Sequence, residues 1–238
     1  MVNIPVITRR ELNTYFLSPG AYVVLFGFAV IQGVLFVSDV DVTIEPNIVA
    51  SSAFGAALLL LIFACPIITM RLLSEEAGSG TIETLLTTPV TDAEVVLGKY
   101  VGALIFSMVM MVPLVLEVGF LAALGSLDYG PVAAAFLGTY LLAAQFLAIG
   151  LFCSSLTRVQ IGSAIMSFVV LMGLFFLWRV ARDSASTAAK VLQYISPPWH
   201  MVGFLKGVID TRDLVYFVAS TALFLFLSAK VLESRRWR

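Results

Sequence analysis

The chain has 238 residues, 60% of them apolar and 12% charged, with 14 Lys+Arg against 15 Asp+Glu for a net charge of −1. A soluble domain is about 45–50% apolar and about 25% charged, so this composition excludes a soluble enzyme, a disordered chain and a collagen-like fibre. The charge balance excludes a basic nucleic-acid binder. With a mean hydropathy of +1.02, the chain holds enough apolar residues for about six membrane-spanning helices of about 20 residues each.

In chain order, segment 4–19 comes first. It mixes Ile7, Leu12, Tyr15 and Phe16 with Arg9, Arg10 and Glu11, a pattern that predicts an amphipathic helix lying in the membrane interface. Six apolar stretches follow at 22–37, 54–73, 95–124, 132–156, 161–178 and 214–231. Backbone in lipid must satisfy its own hydrogen bonds, so each is predicted to be a helix. A transmembrane barrel would need short alternating segments, and Leu58-Leu59-Leu60-Leu61-Ile62-Phe63 does not alternate. No small-x-small cleavage pattern follows the first stretch at Val37-Ser38-Asp39, so no cleavable signal peptide is expected.

Six spans put both termini on one side. Nine basic residues fall on that side: Arg9, Arg10, Arg71, Lys99, Arg158, Lys230, Arg235, Arg236 and Arg238. The other side carries five, all within segment 179–213, and its loops 38–51 and 125–131 carry none. The asymmetry of short-loop Lys and Arg predicts cytoplasmic termini. Pro66 and Pro113 are candidate kinks. The pairs Gly98/Gly102 and Ala134/Gly138, each four apart, permit close helix approach.

Segment 74–94 is the one long connection on the cytoplasmic side. The second span is expected to run past the bilayer through Glu75 and Glu76 and to stop at Gly78 or Gly80, where glycine accepts a left-handed cap. Gly80 then caps a short helix with Glu83 in its first turn. Ile82, Leu85 and Leu86 share one face, Pro89 ends the helix, and Thr91-Asp92-Ala93-Glu94 forms a capping box for the third span. Five acidic and two basic residues lie from Arg71 to Lys99. Two readings stand: an acidic solvated loop with an interfacial helix, or a docking helix for a cytoplasmic partner.

Catalytic signatures are missing. No phosphate-binding Gly-x-x-x-x-Gly-Lys-Ser/Thr occurs, since Gly78-Ser79-Gly80 leads into Thr81-Ile82 without a lysine. The single histidine, His200, cannot build a two-histidine zinc site within one chain, and no Gly-x-Ser-x-Gly elbow is present. Cys65 and Cys153 lie in apolar runs as small buried hydrophobes. The chain is expected to be no enzyme, with no metal and no directly bound cofactor.

The stretch Leu73-Ser74-Glu75-Glu76 … Gly80-Thr81-Ile82-Glu83-Thr84-Leu85-Leu86-Thr87-Thr88-Pro89-Val90-Thr91 … Gly98-Lys99-Tyr100 closely resembles ABC-2 type permeases. Within them it is most similar to the gliding-motility-associated and nitrous-oxide-reductase-maturation permeases. Arg10-Glu11-Leu12 … Ser18-Pro19 and Ser196-Pro197 … His200 … Phe204 … Lys206-Gly207-Val208-Ile209-Asp210 … Arg212-Asp213 … Tyr216 are further, weaker matches. The resemblance implies an all-α, multi-pass permease domain over residues 1–238, in the cytoplasmic membrane of a prokaryote. It implies an elbow helix in segment 1–20, a coupling loop over 74–94 and a re-entrant segment over 179–213. It implies a cytoplasmic ATPase dimer carrying ATP and Mg, and a second permease subunit. The coupling helix would map to 81–86, so Glu75, Glu76, Thr81, Ile82, Glu83, Leu85 and Leu86 would contact the ATPase.

Two polar residues inside predicted spans are candidates for function. Glu117, in the third, is a candidate for a substrate path or for pairing with Arg179 or Arg182. Gln145, in the fourth, can hydrogen-bond a neighbouring helix or line the same path. Other classes to weigh are a scaffold that transmits force without carrying a solute, and a small secondary transporter. The latter would need more intramembrane charge.

Overall fold

The computed structural model describes residues 3–42, 45–79, 91–181 and 187–236. These residues form eleven helices and no strand. They are α1 (Ile4–Leu17), α2 (Pro19–Val42), α3 (Pro46–Thr69), α4 (Ser74–Ser79), α5 (Asp92–Met110), α6 (Val112–Leu124), α7 (Tyr129–Leu156), α8 (Gln160–Ala181), α9 (Thr187–Ile195), α10 (Pro197–Leu205) and α11 (Thr211–Arg236). Six segments among the described residues are long and apolar enough to cross a membrane: α2, α3 with α4, α5 with α6, α7, α8 and α11.

The spans are longer than their apolar cores. Helix α2 runs on to Val42 and α3 starts at Pro46, so most of the expected loop 38–51 is helical. Proline at the first helical turn costs no intrahelical bond, which suits Pro46 to that start. Helix α7 begins at Tyr129, capped by the Asp128 carboxylate accepting from the Gly130 amide at 3.1 Å.

Two predicted spans are interrupted. The third breaks at Met111, between α5 and α6, two residues before Pro113. Pro113 has no amide hydrogen to continue the ladder. Pro66, by contrast, stands inside α3, which continues to Thr69. The second span does not extend as one helix through Glu75. It turns over residues 70–73 and restarts as α4. Ser154 of α7 holds that turn: its hydroxyl accepts from the amides of Leu73 and Ser74, both at 3.1 Å, and donates to the Met70 carbonyl at 3.3 Å. Gly78 is not a helix stop either. It sits within α4, where a Cβ would stand 2.6 Å from the Arg158 carbonyl oxygen, so its role is close approach to the turn after α7. Gly80 and Pro89 lie outside the described residues.

Helix α7 is the axis of the bundle. Of its most apolar stretch 72% is buried, against 11% for α11 and 17% for α8, which turn most of their surface outward. Small residues make this possible. Ala143, Ala148, Gly138 and Gly150 let neighbours close in from several sides. Gly138 faces Phe204 of α10, where a Cβ would stand 2.6 Å from the ring, and Gly150 faces Thr69 of α3 with no room for a Cβ. Segment 179–213 is largely helical. Ser196 separates α9 from α10, and Pro197-Pro198 start α10. Helix α10 ends in a Schellman cap: Gly207 has φ +79°, and the Val208 amide donates to the Gly203 carbonyl at 3.0 Å.

Candidate functional site

One end of the bundle gathers α1, the turn after α3, α4 and the start of α5. Segment 81–86 connects directly to this end, and it lies outside the described residues together with Thr81, Ile82, Glu83, Leu85 and Leu86. The frame around it is defined. The expected capping box starts α5: the Thr91 hydroxyl accepts from the Glu94 amide at 3.3 Å, and the Glu94 carboxylate accepts from the Thr91 amide at 3.2 Å.

At the centre is Lys99, whose side chain is 4% exposed. Its ammonium lies 2.7 Å from Glu11 Oε1 of α1 and 2.9 Å from Glu76 Oε1 of α4. One cation thus joins three helices. A buried ammonium needs such partners, because desolvation costs several kcal/mol per ion unless opposite charge and hydrogen bonds offset it. Glu75 is on the exposed side of α4 and takes no part.

The approach of α1 depends on the two glycines four apart. A Cβ on Gly98 would stand 2.7 Å from Ile7 Cβ, and one on Gly102 would stand 2.9 Å from Glu11 Cβ. The pair therefore serves α1 rather than a neighbouring span. Thr8 donates to the Gly98 carbonyl at 3.1 Å and Tyr15 to the Ile68 carbonyl at 3.0 Å. Burial holds the Tyr15 phenol well above its ordinary value, so it remains a donor. The Tyr15 ring stacks on Phe106 at 4.8 Å. The amphipathic segment expected from sequence is a helix, and its fixed face meets α5.

The intramembrane polar residues have partners within the chain. Glu117 is buried, and its Oε2 accepts from Gln32 Nε2 of α2 at 3.1 Å, while the same nitrogen donates to the Ala53 carbonyl of α3 at 3.0 Å. Arg179, one of the two partners the sequence offered, makes no ion pair with Glu117, and Arg182 lies outside the described residues. Glu117 points inward to α2 and α3. Gln145 Nε2 donates to Ser220 Oγ of α11 at 2.8 Å. No hydrogen bond connects Glu117 with Gln145 among the described residues.

At the opposite end, His200 is buried, with 2% exposure. Its Nδ1 lies 2.6 Å from Asp213 Oδ1, its Nε2 lies 2.9 Å from the Tyr194 carbonyl, and its ring stacks on Tyr216 at 3.8 Å. This ties α9, α10 and α11 together. Among the described residues no cluster of three metal-ligating side chains occurs.

Residues 16–236 match the family of ABC-2 family transporter proteins. The chain belongs to that family. It is also similar to the probable multidrug ABC transporter permease YbhS of Escherichia coli strain K12 and of Escherichia coli O157:H7. Identity to each is 25% over 190 residues, covering 77% of this chain and 49% of the relative. The chain thus spans about half the length of the curated relatives it matches.

In this ABC-2 family member three residues carry more than their sequence context indicated. Lys99 reads as one more cytoplasmic anchor, and Glu11 as part of an interfacial stripe. Only the fold brings them together, 88 positions apart. Gln32 had a usable signal. A lone amide within apolar run 22–37 must find a partner in lipid, and Glu117 is the one carboxylate at a comparable depth.

Proposed function

We propose that the chain is the membrane-spanning permease subunit of an ABC transporter, working with separate cytoplasmic ATPase subunits that bind ATP and Mg. Its motion would drive export or move a partner. Family membership supports the class, and the Lys99 junction is the observation that carries the mechanism. Segment 81–86 leaves α4 and re-enters at α5, and Lys99 clamps both of those helices to α1. A push on that segment is therefore delivered to three helices as one body. Ile82, Leu85 and Leu86 form the apolar face that enters the ATPase, with Glu75, Glu76 and Glu83 at its acidic edge. Lys99 holds one of the two Glu76 carboxylate oxygens.

The chain pairs with a second permease subunit, and α8 and α11 offer apolar surface for it. The run from Leu73 to Tyr100 supports the gliding-motility-associated or nitrous-oxide-reductase-maturation type. A scaffold that moves a partner rather than a solute is favoured by one observation: Glu117 and Gln145 are each engaged by a neighbouring helix of the same chain. They serve as interhelical locks on that reading.

The deciding experiment is Leu85→Asp in the complex reconstituted with its ATPase. Stimulated ATP hydrolysis falls to the basal rate while membrane insertion and yield stay unchanged. Full stimulation in that variant overturns the assignment of the coupling face.

A further inference from the structure

Beside the Lys99 junction lies a cavity of about 450 Å³ between α1, the start of α2, the end of α3 and α4. Its lining is divided. Toward α4 it is charged, with Arg10, Arg71 and Glu75 beside the paired Glu11, Glu76 and Lys99. Toward the spans it is apolar, with Ala21, Val24 and Ile67, and Ile67 is exposed on the lipid-facing side of α3. We propose that this cavity binds one phospholipid whose headgroup carries both a phosphodiester and a primary ammonium.

The unpaired charges carry the inference. Arg71 donates one hydrogen bond, to Ser18 Oγ at 3.1 Å, and its guanidinium lies over Gly20. Among the described residues it has no carboxylate within ion-pair distance, although Glu75 and Glu76 line the same space. Arg10 also has no such partner. Glu76 Oε2 is buried without a hydrogen-bond partner, its other oxygen being held by Lys99. Beside the paired Lys99, Glu11 and Glu76, the cavity therefore holds Arg10, Arg71 and Glu75 with no ion-pair partner among the described residues. A zwitterion satisfies both signs: its phosphate takes the Arg71 fork and the Ser18 hydroxyl, and its ammonium reaches Glu75 and the free oxygen of Glu76. Phosphate alone would leave Glu75 and the second oxygen of Glu76 unmatched. The apolar half selects a lipid over a free phosphoester, since acyl chains can pass Val24 and Ile67 into the bilayer. The cavity shares Glu75 and Glu76 with the proposed acidic edge but includes no residue of segment 81–86, and its lipid test does not depend on the ATPase.

The test is native mass spectrometry of the delipidated full chain titrated with dioleoyl phosphatidylethanolamine. One lipid binds, and Arg71→Gln weakens it about tenfold, as expected for loss of a charge-assisted bidentate contact. Val24→Trp, which fills the apolar half and leaves every charge in place, removes binding while the protein stays monodisperse. Dioleoyl phosphatidylcholine, whose ammonium has no hydrogen to donate, binds about tenfold more weakly than the ethanolamine lipid. Unchanged affinity in a folded Arg71→Gln or Val24→Trp overturns the site. Equal binding of the two lipids overturns the ammonium contact. Displacement of the lipid by equimolar phosphoethanolamine shows an aqueous ligand and overturns the lipid assignment.

Discussion

Lys99 concentrates the energetics of the junction in a single side chain. With its ammonium removed, Glu11 and Glu76 face each other across a mostly buried space. Their side chains are 13% and 17% exposed, so solvent screens them little. Breaking a buried pair from one side typically costs 3–5 kcal/mol, and the partial exposure puts Lys99→Met near the lower end, about 3 kcal/mol. Unfolding of the reconstituted protein in denaturant would read this as a lowered midpoint. The triple variant Lys99→Met, Glu11→Gln, Glu76→Gln should recover most of the loss, because no uncompensated charge remains. If Lys99→Met alone unfolds like the wild type, the ammonium is not what holds the junction. None of this was legible locally. The three groups sit at positions 11, 76 and 99, and each has an ordinary explanation in its own segment, as anchor, interfacial charge or acidic loop. Glu117 illustrates the same limit from the other side. Its place inside a span was readable, yet its partner Gln32 is 85 positions away. Only helix packing brings it to Glu117.

At the scale of elements, apolar run length identified all six spans, because the hydrocarbon thickness demands those runs whatever the tertiary contacts. Element ends were less legible. Polar residues such as Asp39 and Asp41 continue α2 past the apolar core, since helix hydrogen bonding does not stop where hydrophobicity does. The break after α3 depends on Ser154 from another helix and has no local signal. The spacing of Gly98 and Gly102 was visible, but its partner was not: it accommodates α1. That assignment predicts the effect of Gly98→Ala. The new methyl would stand 2.7 Å from Ile7 Cβ and 3.3 Å from the Ile4 carbonyl oxygen, so α1 must shift as a helix. Overpacking of this kind costs about 1–3 kcal/mol. The Thr8 bond to the Gly98 carbonyl should weaken with it. A cysteine in place of buried Thr8 would then react with a water-soluble maleimide faster in the alanine variant than in the glycine parent. Equal rates would show that α1 does not rest on this glycine.

For the whole molecule, the decisive quantity is orientation. Six spans return both chain ends to one face, and the same face holds the Lys99 junction and both ends of segment 80–90. The sequence assigns nine of the 14 basic residues to that face and none to the opposite short loops 38–51 and 125–131. Positive charge resists translocation, so this face should be cytoplasmic. Green fluorescent protein fused to either chain end should therefore fluoresce, and alkaline phosphatase at the same positions should be inactive. Phosphatase inserted in loop 125–131 should be active. The reverse pattern would place segment 80–90 outside the cell, where no ATPase could reach it. That result would overturn the proposed coupling function while leaving the helix packing untouched. The Leu85→Asp and fusion experiments thus separate two failures: a wrong contact face on the correct side, and a wrong side altogether.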